Sequence, residues 1–438
     1  MANSAFTLTR RSLLAGTAAT AATIALAACN RGGAAAPAAS SFPAGDPRSK
    51  GWHTVNQYFS SNNAFFNSWQ QGSDEAARAL GMKNEAQVDN SNNDKALTIF
   101  RSAATRNFNA ITSMVADPGI SKMALSTAQA NGTVVANAWN VAPWLTPFDI
   151  GDKWVQFIAP NDVAGAQTVA KVLFDAMGGE GELIHITGVP GNTADILRTE
   201  GVDRALKKFP GVKLVAREPG QFNRGATEPV ISALLTAHPN VKAVFCQNDD
   251  EAMGVLAALS ARGRKDVLVT GIDGIPDMLS AIASGRALAT WAQHGGFAAG
   301  WLTVQVFDAL AGVTLDPLER MMWLGTFVIN TPEAATAYKK MMYGGGPFPF
   351  DYAKMSRVLN PKDWDPQNSF APIDLETYYT LLQPKPAGYE LPAKYTAAAS
   401  AAQIEAVAKS YSQRLGTDPF ASVRKLCKGD GGHDLTVF

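Results

Sequence analysis

Val241-Lys242-Ala243-Val244-Phe245-Cys246-Gln247-Asn248-Asp249-Asp250 is the stretch whose reading decides the fold. Val241 to Phe245 is a short apolar run that predicts a buried strand, and Asp250 to Arg262 repeats apolar residues at helical spacing. Gln247-Asn248-Asp249-Asp250 lies between them as a polar turn at the strand's carboxyl end, where open α/β sheets place their ligands. Asp249 and Asp250 open the helix, where carboxylates suit the dipole.

The same grammar extends in both directions, from Gly51 to about Ile329. Strands are expected at Trp52 to Phe59, Ala110 to Met114, Thr133 to Ala136, Trp154 to Ile158, Leu183 to Thr187, Lys213 to Arg217 and Val267 to Ile272. Helices are expected at Ala64 to Leu80, Asp162 to Met177, Glu200 to Lys208 and Val230 to Ala237. Strand–helix–strand repeats of this length favour parallel sheets with right-handed crossovers. Some ten strands exceed one comfortable sheet, so two similar α/β lobes are expected.

Polar and aromatic residues collect at the strand ends: Asn62-Asn63-Ala64-Phe65-Phe66, Gln247-Asn248, Gly271-Ile272-Asp273-Gly274 and Trp291-Ala292-Gln293. A sugar needs planar donors and acceptors for its hydroxyls and flat aromatic faces for its C–H surface. Phe65 and Phe66 can stack on a ring, Asn63, Asn248 and Gln293 can make paired bonds, and Asp273 can act as a charged acceptor. Each residue also has a plainer role, since Asx residues after strands cap helices and adjacent phenylalanines fill cores.

In this order and spacing, Asn62-Asn63-Ala64-Phe65-Phe66, Ala237-His238-Pro239, Ala243 to Asp249 and Gly271 to Asp277 resemble the type I periplasmic sugar-binding proteins, the ribose-binding group above all. The similarity covers about Trp52 to Ile329. It implies two Rossmann-like lobes joined by a three-segment hinge, with residues 52–158 and 296–322 in the first lobe and 159–293 and 323–329 in the second. It also implies capture of a small neutral sugar or polyol by hinge closure and delivery to an ABC permease, by a monomer that needs no cofactor or metal.

Carried over by position, Asn63, Phe65 and Phe66 match ligand contacts of the first lobe, and Phe222, Asn248, Asp273 and Gln293 match those of the second lobe and hinge. Two places depart from the pattern. Ala138 and Trp139 stand where an Asp-Arg pair is expected, and Ile196 stands at a ligand-binding arginine, with Arg198 matching a neighbouring one. Losing guanidinium forks predicts a more aromatic cleft suited to fewer hydroxyls. Trp139 either stacks on the ligand or packs at the lobe interface, and Asn137 and Arg198 are candidate replacement donors.

At the amino terminus, Arg10 and Arg11 precede an Ala-rich run ending at Leu26-Ala27-Ala28-Cys29. This reads as a twin-arginine export signal over residues 1–28, too short and Ala-rich for a good membrane span. Leu-Ala-Ala-Cys resembles a lipobox, which would make Cys29 a lipid attachment site at the outer face of the cytoplasmic membrane or in the periplasm; an ordinary secretory signal is the alternative. Residues 29–50 suit a flexible tether.

Formal charge is zero, and removing residues 1–28 takes two arginines and no acids, leaving −2. That composition calls for no nucleic acid, and the membrane is engaged only through the anchor. A regulator of the lactose-repressor type would need a helix-turn-helix where the signal stands. The five histidines have no metal-ligand spacing, no phosphate loop or nucleophile–base set is present, and no enzyme is expected. Of these histidines, His294 adjoins Gln293. Cys246 reads as a core residue.

From Asn330 to Phe438 the chain runs past the expected end of the family fold. Thr331-Pro332 predicts a helix start, and Tyr395 to Leu415 reads as one amphipathic helix. This extension is expected to pack as a strap over the lobes or hinge, or to offer a separate surface to the permease. A membrane kinase or chemoreceptor in place of the importer, and a non-sugar neutral metabolite in place of the sugar, are the alternatives.

Overall fold

The computed structural model describes residues 42–61, 63–427 and 436–437, so the export signal, Cys29 and most of the expected tether lie outside the described residues. The last part of that tether is built into the fold. Pro47–Lys50 forms a 3-10 turn capped by Asp46, which also pairs with Arg48 at 2.6 Å. Among the described residues, no helix is long and apolar enough to cross a membrane.

Two seven-stranded sheets carry the α/β alternation. The first contains β1 His53–Tyr58, β2 Lys83–Val88, β3 Ala110–Met114, β4 Val134–Ala138 and β5 Trp154–Ala159, in the order β2-β1-β3-β4-β5. The second repeats the pattern with β6 Glu180–Thr187, β7 Gly211–Pro219, β8 Val241–Cys246, β9 Leu268–Asp273 and β10 Ala289–Ala292, in the order β7-β6-β8-β9-β10. All neighbours within each set of five are parallel. This is the doubly wound order that opens a crevice beside the first strand of each lobe. Cys246 is fully buried in β8.

β11 Met321–Leu324 joins the first sheet beside β5, and β12 Thr326–Ile329 joins the second beside β10. The chain therefore crosses between lobes three times: at Pro160 and Asn161, at Gln293 and His294, and at Gly325. The third crossing falls after β11, two residues beyond the expected boundary at 322, because Trp323 and Leu324 still pair with the first sheet.

The helix Ala64–Ala79 lies against Gly295–Leu310, whose residues Gly295 to Asp308 are all buried. Contact is close enough that a Cβ on Gly72 would sit 1.8 Å from the Gly296 carbonyl oxygen, so only glycine fits there.

The extension adds a strand to each sheet: β13 Phe370–Pro372 pairs with β11, and β14 Thr436–Val437 pairs with β12. Thr331 caps the helix Pro332–Tyr343 by accepting from the Ala334 amide at 3.1 Å. The single helix expected over Tyr395 to Leu415 is two, Ala393–Thr396 and Ala401–Arg414. Ser400 breaks it, because its hydroxyl caps the Gln403 amide while Gln403 reaches back in a capping box.

Candidate ligand-binding cleft

Between the lobes, at the carboxyl ends of the parallel strands, lies a cleft of about 310 Å³. Asn63, Phe65, Phe66, Trp139, Phe222, Asn248, Asp273 and Gln293 all line it, as does Arg198. Asn137 does not, because its Oδ1 accepts the Trp154 indole N–H at 2.6 Å inside the first sheet. Ile196 is also absent from the wall. Ala194 and Arg198, one helical turn apart, face the cleft instead, so Arg198 places a guanidinium on this side of the wall.

Helix caps and cleft walls turn out to be the same residues. Asn63 accepts from the Phe66 amide at 3.1 Å and Asn248 from the Glu251 amide at 2.8 Å, which fixes both side chains at helix entrances on opposite sides of the cleft. Asn248 Nδ2 reaches the Phe222 carbonyl at 3.3 Å, while Glu251 returns bonds to the Phe222 and Asn248 amides. The aromatic wall is one continuous edge-to-face set: Phe66 with Phe65 at 5.4 Å, Phe65 with Trp139 at 5.8 Å, and Trp139 with Trp69 at 5.8 Å. Six of the lining residues, Asn90, Ser91, Trp139, Gln221, Phe222 and Asp273, have positive φ, with Trp139, Phe222 and Asp273 at 61°, 52° and 125°. For bulky residues this is strain, and here it gathers at the cleft.

Arg198 holds the hinge side together. Its Nε donates to Asp162 at 2.8 Å, Nη1 to the Gln247 carbonyl at 2.6 Å and Nη2 to Gln293 Oε1 at 3.1 Å. Three of a guanidinium's five donors are thereby placed, linking the first crossing, the β8 end and the second crossing. Burial raises the Asp162 carboxyl's pKa against the pull of this arginine. Burial likewise pushes Asp273 well above the usual carboxylate range; Arg198 opposes this, and Asp249, Asp250 and Asp162 reinforce it. Asp273 therefore sits where ionisation is costly.

Asp249 has a larger task than favouring a helix dipole. Its Oδ2 accepts the Gly274 and Ile275 amides at 2.7 and 2.8 Å, and its Oδ1 accepts the Thr290 hydroxyl at 2.7 Å. It thus fixes the turn that presents Asp273. Asp250 pairs with Arg224 at 3.2 Å and bonds Asn63 across the cleft. A second cross-cleft bond runs from Asn192 Nδ2 to the Ala116 carbonyl at 2.9 Å, so the two lobes meet in a closed arrangement.

Sequence reasoning missed Asn90, Ser91, Asn140, Asn192, Gln221 and Asn223 in the cleft wall. Asn90 and Ser91 follow β2, an edge strand too polar to be recognised. Asn192 and Asn223 cap helices whose starts were placed too late. Asn140 Nδ2 donates to the Val115 carbonyl at 2.7 Å, and its buried Oδ1 has no partner among the described residues. His294 stands outside the cleft, beneath the extension.

A family model described as the periplasmic binding protein domain matches residues 55–313. The chain belongs to that family. This binding protein is 34% identical over 237 residues to the ribose import binding protein RbsB of Escherichia coli (strain K12), a span covering 53% of this chain and 76% of that one. It is 34% identical over 139 residues to the xylitol-binding protein of Mycolicibacterium smegmatis, where the span covers 32% of this chain and only 40% of the relative. A twin-arginine translocation pathway signal protein from Burkholderia phytofirmans shares its fold with a TM-score of 0.63 at 24% identity, over 67% of this chain and 94% of that one. A solute-binding protein of an ABC transporter from Mycobacterium smegmatis, solved with bound glycerol, does so at 0.60 and 23% identity, over 68% and 98%. The family match ends before the extension begins.

Proposed function

We propose that this binding protein is the solute receptor of an ABC-type importer, exported with a twin-arginine signal, anchored through Cys29, and selective for a small neutral sugar or polyol. The observation that carries the reading is the cleft wall itself: carboxamides on both lobes, held rigid as helix caps, face one another across an aromatic surface. Such a wall satisfies hydroxyls in pairs and covers C–H faces. The names of its relatives, which include ribose, D-allose and xylitol binders, support this ligand class.

Trp139 narrows the choice. It replaces a fork of donors with an indole face, so ligands with fewer hydroxyls, such as polyols, deoxy sugars or methylated sugars, leave fewer groups unpaired there. Arg198 keeps two donors beyond its hinge bonds for one end of the ligand. No bond in the ligand is made or broken; ligand that touches both lobes only when they are closed draws the population to the closed state.

A thermal-shift screen of pentoses, hexoses, deoxy sugars and polyols identifies the ligand, and calorimetry with it tests the cleft. Asn248→Ala and Asp273→Ala are each expected to abolish measurable binding while the protein stays folded. Unchanged affinity in both variants, or stabilisation by amino acids or purines alone, overturns the proposal.

A further inference from the structure

The extension holds the hinge at the second and third crossings and packs on a strand that leads into the first. At the third, Gly325 is bonded on both sides: its amide donates to the Ser369 carbonyl at 2.9 Å, and Asn368 Nδ2 donates to its carbonyl at 3.0 Å. The fit is tight, for a Cβ on Gly325 would lie 2.3 Å from Ser369 Oγ.

At the second crossing, His294 has a φ of 53°, an unfavourable conformation for a residue with a side chain. Its imidazole is stacked on Phe420 with ring centroids 3.9 Å apart and planes 18° from parallel, and its Nδ1 lies 2.8 Å from the Tyr338 hydroxyl. Both partners belong to the extension. The preceding residue is Gln293, which meets Arg198 in the cleft. Ahead of the first crossing, Tyr378 packs against Phe157 and also against Trp323, so its ring is wedged between two of the strands that lead into the hinge.

The extension also joins both sheets, through β13 and β14, and its helix Leu375–Leu382 packs on Thr193–Lys208 of the second lobe. Hinge closure in a clamp is a change of φ and ψ at a few crossing residues. Here two of those residues, His294 and Gly325, are stacked and bonded by one further segment.

We propose that the extension is a brace on the hinge, in which Phe420 and Asn368 are positioning residues that hold His294 and Gly325 in the closed geometry and keep Gln293 and Arg198 aimed into the cleft. The brace adds to the closed state without touching ligand, so affinity depends on residues outside the cleft. This deepens the receptor reading and rests on it only for the ligand measurement.

The test measures the clamp directly. In a chain carrying Cys29→Ser and Cys427→Ser, with Cys246 buried, spin labels at Lys95→Cys and Glu228→Cys report the distance across the cleft mouth by double electron–electron resonance without ligand. Phe420→Ala and Asn368→Ala are each expected to move population to longer distances, and to weaken binding of xylitol or D-ribose, whichever the parent binds, about ten-fold. Tyr411→Ala, which empties an equally buried aromatic site in the extension but touches no crossing, is expected to leave the distances as they were. Asn368→Ala removes only two local side-chain bonds, to the Gly325 carbonyl and from the Ser369 amide, and so remains informative if Phe420→Ala fails to fold. Unchanged distances in the hinge variants, or the same shift from Tyr411→Ala, overturn the brace. Failure of the parent to bind either probe counts against the ligand class, and the distances still decide the brace.

Discussion

Replacing Asp249 by asparagine is expected to change how stability depends on pH. Burial pushes this carboxyl up to about 7, against the hydrogen bonds from Thr290, Ile275 and Gly274. In the unfolded chain an aspartate titrates near 3.9. Between these values the folded protein holds a proton that the unfolded chain has released, so stability falls as pH rises through that window and is flat above about 7. A separation of about three pH units at ~1.4 kcal/mol each sets the loss at up to roughly 4 kcal/mol. Asparagine reproduces the protonated acid: its Oδ1 can accept the Gly274 and Ile275 amides, and its Nδ2 can donate to Thr290. Asp249→Asn is therefore expected to match the parent only below about pH 3.9 and to exceed it by up to about 4 kcal/mol at pH 8. Urea unfolding followed by tryptophan fluorescence across this range measures the difference, and subtracting the two curves removes the acids that do not feel the Asp249 charge; Asp273, which does, adds to the difference in the same direction. Asp249→Ala serves as the contrast, since it orphans two amides at about 1 kcal/mol or more each at every pH. Parallel parent and Asp249→Asn curves would refute the reasoning.

Two further outcomes follow from buried polar contacts. Arg357 pairs with Glu319 at 2.7 Å and donates to the Tyr411 hydroxyl at 2.7 Å, docking the extension on the first lobe; Arg357→Met strands Glu319 and should cost about 3 kcal/mol in chemical unfolding. Asn192→Ser, which keeps an oxygen to cap the helix Thr193–Lys208, removes the cross-cleft bond to the Ala116 carbonyl, worth about 1 kcal/mol, and should speed ligand release roughly five-fold in stopped-flow displacement while the midpoint of unfolding stays close to the parent's.

The central strands were legible because burial on both faces makes them continuous apolar runs; Ala110–Met114 is an instance, all five residues buried. β2 was not, because Lys83-Asn84-Glu85-Ala86-Gln87-Val88 lies at a sheet edge and no residue in it is fully buried. Its loop was lost with it, and so were Asn90 and Ser91. The helix break at Ser400 was hidden for another reason. Ser-x-x-Gln is a capping signal that the apolar spacing on either side outweighs unless the cap is read first. Asn137 misled because alternation alone does not show which polar residue of a buried strand is consumed by a neighbouring indole.

For the cleft, the plain reading of Asn63 and Asn248 as helix caps holds, and the same two residues line the cleft wall. A cap fixes one oxygen and leaves the amide group aimed beyond the helix start, which is the cleft in a doubly wound lobe. The same logic points to what could have been read of the extension. Gly295 to Leu302 carries no polar side chain over two turns, and such a helix needs cover on every side. One flank is taken by the helix Ala64–Ala79 and another by the sheet. What remains is closed by Phe348 against Gly296 and Tyr352 against Gly300, where added Cβ atoms would meet those rings at 2.4 and 2.1 Å. A helix with glycines on its third face therefore records in its own sequence that another segment lies there. The segment that supplies those rings is the one that also holds His294 and Gly325, so the cover of the core and the hold on the hinge come from a single piece of chain.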